Sequence, residues 1–252
     1  MSGGRPTADE AIERVTAMSG GAFWFLVVAG PNEGDDWWTR DRAVAGLDDL
    51  FARFPAGDGR SADAVQGSLL LEAWAWTILA PTTAALLGTG IVLDLAAAGT
   101  AVQAPPGQRP VFLGIDVTQP WAQAPTVVDP DDPASIDLLL GPMVAHLAPL
   151  VAAISERTGR SRTALWRGVR DRLAGTLLWA GEASGRRTVA EAMLERAFGD
   201  GRVRGPVPRL VPGEGQPALV RGGCCLWWRA GNDPCDTCPL SHRGEASATA
   251  SG

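Results

Sequence analysis

The stretch Ala73–Leu93, AWAWTILAPTTAALLGTGIVL, is uncharged from end to end and is closed by Glu72 before it and Asp94 after it. A run of this length and apolarity is either a membrane span or a helix that a folded protein buries at its centre. Its contents favour the buried helix. Pro81, Gly88, Gly90 and several threonines dilute it, and no basic residues anchor its flanks. A second uncharged stretch, Leu138–Ser155, carries Pro142, His146 and Pro149 and reads the same way. Two core helices set the expectation of an α+β, mainly helical protein with smaller elements packed around them.

Working outward, Ser61-Ala62-Asp63 opens the first of these helices, and Pro81 is expected to kink or restart it. Upstream, Val44, Leu47, Leu50 and Phe51 recur at helical spacing within Arg40–Phe54, ahead of a stop at Pro55. Phe23–Val28 suits a strand, and Thr7-Ala8-Asp9-Glu10 has the form of a capping box for a helix over about residues 8–19. Downstream, Ile91–Leu93 and Val111–Ile115 flank a Gly/Pro-rich interval and read as a β-hairpin or ribbon. Beyond a proline-rich linker over 120–133, three helices are expected, over Ala134–Glu156, Arg162–Glu182 and Thr188–Phe198. Gly201–Pro217 reads as loop, and the Ser/Ala/Gly-rich last eight residues as a mobile tail.

With 252 residues, 46% hydrophobic and 20% charged, the chain can bury a substantial core, which excludes wholesale disorder. The net charge of −6 disfavours a general nucleic-acid binder, because phosphate neutralisation needs a basic surface. All 22 basic residues are arginine and tyrosine is absent, a pattern of coding bias. The start, Met1-Ser2-Gly3-Gly4-Arg5-Pro6, lacks the apolar stretch of a signal peptide, so a cytoplasmic location is expected.

All four cysteines fall within one short C-terminal segment, Cys224-Cys225-Leu226-Trp227-Trp228-Arg229-Ala230-Gly231-Asn232-Asp233-Pro234-Cys235-Asp236-Thr237-Cys238. Nine residues, rich in turn formers, separate Cys225 from Cys235, so the chain can fold back and bring both pairs to one point. In a reducing compartment such a set suits a metal centre better than disulfides. An iron–sulfur cluster, tetrahedral zinc, and redox-active dithiols or unligated cysteines all stay open. The adjacent Cys224 and Cys225 form no zinc knuckle, which tilts the spacing toward a two-iron cluster.

At these residues the chain resembles the FhuF-like ferric-siderophore reductases, whose C-terminal motif is Cys-Cys-x10-Cys-x2-Cys around a [2Fe-2S] cluster. The likeness takes in Arg221 before the motif and Trp227-Trp228-Arg229 after its first pair. It extends upstream to Ser61–Leu95, with Trp76-x4-Pro81 and Val92-x-Asp94-Leu95, and to Arg162–Val169 with Leu165-Trp166. The spacer of nine residues departs from the family's ten by one, a deletion that a Gly/Pro loop absorbs.

The resemblance implies that Cys224, Cys225, Cys235 and Cys238 ligate a [2Fe-2S] cluster, with Arg221 and Arg229 as candidates for tuning it. It implies a helical α+β body with a small β-ribbon over 1–205, a cluster-binding segment over 206–243 and a disordered tail over 244–252. The implied activity is reduction of siderophore-bound Fe(III) by one electron. An electron-donor protein and a ferric hydroxamate or catecholate siderophore are the implied partners, without nucleic acid and with at most peripheral membrane association near an importer. A zinc-stabilised siderophore-binding or assembly module and a [2Fe-2S] electron carrier are the alternatives.

Other residues carry less. His146 reads as a hydrogen-bonded core residue, and His242 as a remote substitute ligand. Trp227 and Trp228 either wall the cluster from water or alternate along a packed strand. Arg160 and Arg162 either meet anionic siderophore groups or form a solvated helix start. The substrate is expected between the helical body and the cysteine segment. Gly88-Thr89-Gly90 is too short for a nucleotide fingerprint, and no hydrolytic triad is recognisable.

Overall fold

The computed structural model describes residues 27–29, 34–95, 100–106, 112–115, 126–199, 208–211 and 218–241, with isolated positions at 10, 13 and 201. The helix expected over 8–19, most of the strand at 23–28 and His242 lie outside the described residues.

The chain is predominantly helical with a few short strands. Its axis is the helix Ala62–Thr89 (α3, following α1 at Arg40–Ala45 and α2 at Leu47–Phe51). Every residue from Thr77 to Leu87 is buried, as an element apolar on all faces requires. Pro81 neither stops nor restarts it. The proline removes one backbone donor, and the hydroxyls of Thr82 and Thr83 bond the nearby carbonyls of Ile78 and Leu79, each at 2.8 Å. Gly90 ends the helix in the left-handed region at φ 71°. A Cβ there would lie 2.3 Å from the Val128 carbonyl oxygen, so the stop is specific to glycine.

Ile136–Thr158 (α4) and Arg162–Ala183 (α5) pack on α3, α5 most extensively, and Arg187–Gly199 (α6) packs on α5 and α4; all three lie close to the expected bounds. Gly159 closes α4, and the Ser161 hydroxyl caps α5 by accepting from Ala164 N–H at 3.3 Å. By length and composition α3 and the 133–158 helical stretch could each cross a membrane. Within the protein, 83% of the most apolar window of the first is buried and 44% of that of the second. The region read as one helix over Arg40–Phe54 breaks at Gly46 into α1 and α2, as the weak helix propensity of glycine allows.

The strands depart most from expectation. Ile91–Val92 (β3) does not join a hairpin; it pairs antiparallel with Thr126–Val127 (β6). Phe112–Ile115 (β5) pairs antiparallel with Thr100–Gln103 (β4), parallel with Val27–Ala29 (β1), and β4 pairs antiparallel with Trp37–Thr39 (β2). The result is a mixed four-stranded sheet ordered β1-β5-β4-β2 instead of an isolated ribbon. A third correction lies in the presumed loop, where Arg209–Val211 (β7) pairs with Ala218–Val220 (β8) and delivers the chain to the cysteine segment.

Candidate metal centre

From β8 the chain enters Arg221, whose backbone N–H donates to the Thr237 carbonyl at 3.0 Å. This bond clips the second cysteine pair to the first. On the body side, the Asp171 carboxylate of α5 accepts the N–H groups of Gly222 at 2.7 Å and Gly223 at 3.0 Å. A Cβ on Gly223 would come within 2.9 Å of the Arg167 Cβ, so only glycine lets the segment lie this close on α5. Arg160, between α4 and α5, donates from Nη2 to the Cys224 carbonyl at 2.6 Å.

After Cys225 the chain turns through Leu226, a non-glycine residue held at φ 65°. That conformation costs about 1–2 kcal/mol. It turns the Leu226 N–H toward the Cys224 Sγ at 3.4 Å and starts a 3-10 turn over Trp227–Ala230. The tryptophans therefore sit on a turn and not on a strand; Trp227 is partly buried and Trp228 is 40% exposed. In the C-x-x-C loop the Cys238 N–H bonds the Cys235 carbonyl at 2.8 Å, and the Thr237 hydroxyl lies 3.8 Å from the Cys235 Sγ.

All four cysteines are free thiols, with Cys225 and Cys238 buried and Cys224 and Cys235 partly so. Among the described residues, no three His, Cys, Asp or Glu side chains form a ready-made site for a metal ion. The sulfurs nevertheless act on one another. Burial pushes the Cys225 thiol up to about 11, with the charges of Glu72 and Cys235 adding and Arg221 and the Trp227 N–H opposing. Burial also raises Cys238, with Cys224 and Cys235 adding and the N–H groups of Leu240 and Ser241 opposing. Thiols that resist ionising together give up their protons most readily to a bound cation. The donor set, four sulfurs with N–H groups and arginines around them, thus fits an iron–sulfur cluster.

Arg221 and Arg229, the two tuning candidates, part company. The Arg221 side chain is only 9% exposed and pairs with Glu72 of α3 and Asp171 of α5, themselves 5% and 1% exposed. Glu72 also accepts Arg172 Nη2 at 2.8 Å. Burial works against the Arg221 charge, but Glu72 first, then Cys225 and Asp171, hold the guanidinium above the usual arginine range. Burial lifts Asp171 to about 6 against the opposing pull of Arg221 and the two glycine N–H groups. Arg229 instead lies on the surface, bonding Ser61 Oγ at 2.9 Å with its guanidinium 5.1 Å from the Trp228 ring centre.

A cavity of about 470 Å³ opens between α3 and the cysteine segment. Leu69 and Trp76 of α3, Arg172 of α5, Trp227, Cys225 and Cys235 wall it. His146 is a core residue as expected. It accepts from Trp74 Nε1 at 3.1 Å, meets the Leu95 carbonyl at 2.8 Å, and burial holds it below the ordinary histidine range. Arg162 is exposed at the start of α5. Sequence reasoning missed Glu72, Arg167 and Asp171. For Glu72 a signal was there: it is the sole charged residue between Asp63 and Asp94.

A family model described as ferric iron reductase FhuF-like transporter matches residues 68–211, more than half of the chain. The match takes in α3 from Ser68 onward and α4 to α6, and it ends before all four cysteines. No curated protein matches the chain.

Proposed function

From a chain that belongs to the FhuF-like family of ferric iron reductases, we propose a cytoplasmic reductase of ferric siderophores whose [2Fe-2S] cluster is held by Cys224, Cys225, Cys235 and Cys238. The observation that carries this reading is the cavity against which Cys225 and Cys235 lie. A volume of about 470 Å³ is within the range of small-molecule sites. Its flat indole walls at Trp76 and Trp227 suit the faces of an Fe(III) chelate, and Arg172, which also holds Glu72, reaches the same cavity.

Bound at the four sulfurs, the cluster would supply a one-electron store. The chain's own residues do the rest. Arg221 and Asp171 lock the two cysteine arms to each other and to the body. The Leu226 N–H and the Thr237 hydroxyl point at sulfur, where such bonds set how readily an electron is accepted. Burial of Cys238 keeps water from the side away from the cavity. An electron-donor protein loses one electron and the substrate's Fe(III) gains it. Fe(II), a softer and less highly charged ion, is then held less tightly by hydroxamate or catecholate oxygens and leaves. No protein bond is made or broken, so no nucleophile or general base is required.

The test is to mix anaerobically reduced protein with a ferric hydroxamate in the presence of a coloured Fe(II) chelator. Reoxidation of the protein with one Fe(II) captured per electron is the expected result. A colourless zinc protein would favour the binding or assembly module, and a reducible cluster inert toward every ferric hydroxamate and catecholate tried would favour the electron carrier.

A further inference from the structure

The arginines around the cysteine segment differ in whether their charge is already matched. Arg221 faces two buried carboxylates, and Arg172 shares one of them. Arg229 is exposed, where water and salt screen it. Arg160 and Arg167 are the exceptions. Neither has a carboxylate within ion-pair reach among the described residues, and each buries its Nε with no hydrogen-bond partner. Arg170, Arg172 and Arg187 also bury an unbonded nitrogen, but Arg170 is turned to the Phe198 carbonyl and ring, and the other two each hold a carboxylate with another nitrogen.

The backbone around Arg160 is pinned on both sides, its N–H to the Thr158 hydroxyl at 3.2 Å and its carbonyl to the Ser155 hydroxyl at 2.7 Å. The side chain shares a crevice of about 10 Å³ with Cys224, too small for any substrate. Two anionic neighbours act on Arg160 there: the Cys224 side, whose carbonyl it already holds, first, and Glu72, which lines the same crevice without forming an ion pair with it, second. Arg167 lies beneath Gly223, whose missing Cβ makes room for it, and its charge is close enough to oppose that of Arg160. Two like charges kept together, with no carboxylate paired to either and Glu72 already shared by Arg172 and Arg221, cost free energy, and further negative charge beside them lowers that cost.

Resting on the cluster reading above, we propose that Arg160 and Arg167, rather than Arg229, are the positioning residues that stabilise the extra negative charge of the reduced cluster from the Cys224 side. Four thiolates on two ferric irons and two sulfides already carry net negative charge, and one more electron increases it. Fixed, half-buried cations lower the cost of that electron, while Arg221 contributes less because Glu72 and Asp171 offset it.

The test is a redox titration of the iron-loaded protein as wild type, Arg160→Gln, Arg167→Gln, Arg229→Gln and the charge-keeping Arg160→Lys and Arg167→Lys, with iron and sulfide content and thermal unfolding measured alongside. Each of the first two variants is expected to be about tenfold harder to reduce, which is ~59 mV for one electron. Arg229→Gln is expected to shift less than half as far on a logarithmic scale, and Arg160→Lys and Arg167→Lys to stay near wild type. Unchanged potentials in Arg160→Gln and Arg167→Gln, with the cluster retained, overturn the inference alone. Wild-type protein without iron and sulfide removes the cluster reading and the inference together. Should either variant lose its cluster, the lysine variant at that position, Arg160→Lys or Arg167→Lys, decides: loss there too marks a packing role and overturns the inference, and a retained cluster at near wild-type potential supports it.

Discussion

Arg221→Met probes how the cysteine segment is fastened. The substitution keeps the backbone N–H that holds Thr237 and most of the side-chain volume, but it takes away the cation between Glu72 and Asp171. Two carboxylates, 5% and 1% exposed, are then left in a buried site with only Arg172 on one of them. Removing one partner of a buried pair costs about 3–5 kcal/mol, and the near-complete burial places this site toward the upper half. In a Glu72→Gln/Asp171→Asn background Arg221 is itself the stranded charge, so the same change there is neutral or stabilising. Equilibrium urea unfolding of the four proteins by far-ultraviolet circular dichroism and tryptophan fluorescence measures the coupling as a double-mutant cycle. A cost below ~1 kcal/mol in the wild-type background, or equal costs in both, would refute the view that the ion network anchors the segment.

Two further outcomes follow from the geometry. Gly90→Ala meets both the left-handed φ and the Val128 carbonyl, so its loss of stability in the same unfolding assay should exceed the ~1–2 kcal/mol of the backbone conformation alone. Asp171 rises from an ordinary 3.8 to about 6 on folding, so the folded state binds its proton more tightly and stability falls as pH rises through that window. At 1.36 kcal/mol per unit the full effect is about 3 kcal/mol. Asp171→Asn lacks it, and the thermal midpoints of the two proteins should diverge from pH 4 to pH 6.5; parallel curves would contradict the assignment.

The three long helices after residue 133 were legible because their signals are local: the uncharged run Leu138–Ser155, the amphipathic pattern of Thr188–Phe198, and the proline-rich stretch that ends ahead of α4. His146 was legible for a similar reason, as one polar residue in an apolar helix. The sheet was not. β3 finds its partner at Thr126–Val127, and β4 is four residues, TAVQ, with no alternation to mark it. β7 hid in the Gly/Pro-rich interval Gly201–Pro217 that reads as loop, and β8 follows directly after that interval. At the site, the four cysteines announced themselves by crowding, but the residues that hold their segment did not. Asp171 sits between Arg170 and Arg172, where a carboxylate looks like a solvated surface charge. Only the packing of α5 against the segment shows it is buried and accepting the Gly222 and Gly223 N–H groups.

Iron and acid-labile sulfide per chain, with the visible spectrum, in anaerobically purified wild-type protein and in the Cys224→Ser, Cys225→Ser, Cys235→Ser and Cys238→Ser variants test the account at its centre. Equal amounts of iron and sulfide, near two of each per chain, and a spectrum bleached or shifted by every one of the four substitutions is the predicted result. Zinc in place of iron, or a coloured protein indifferent to the substitutions, would contradict it.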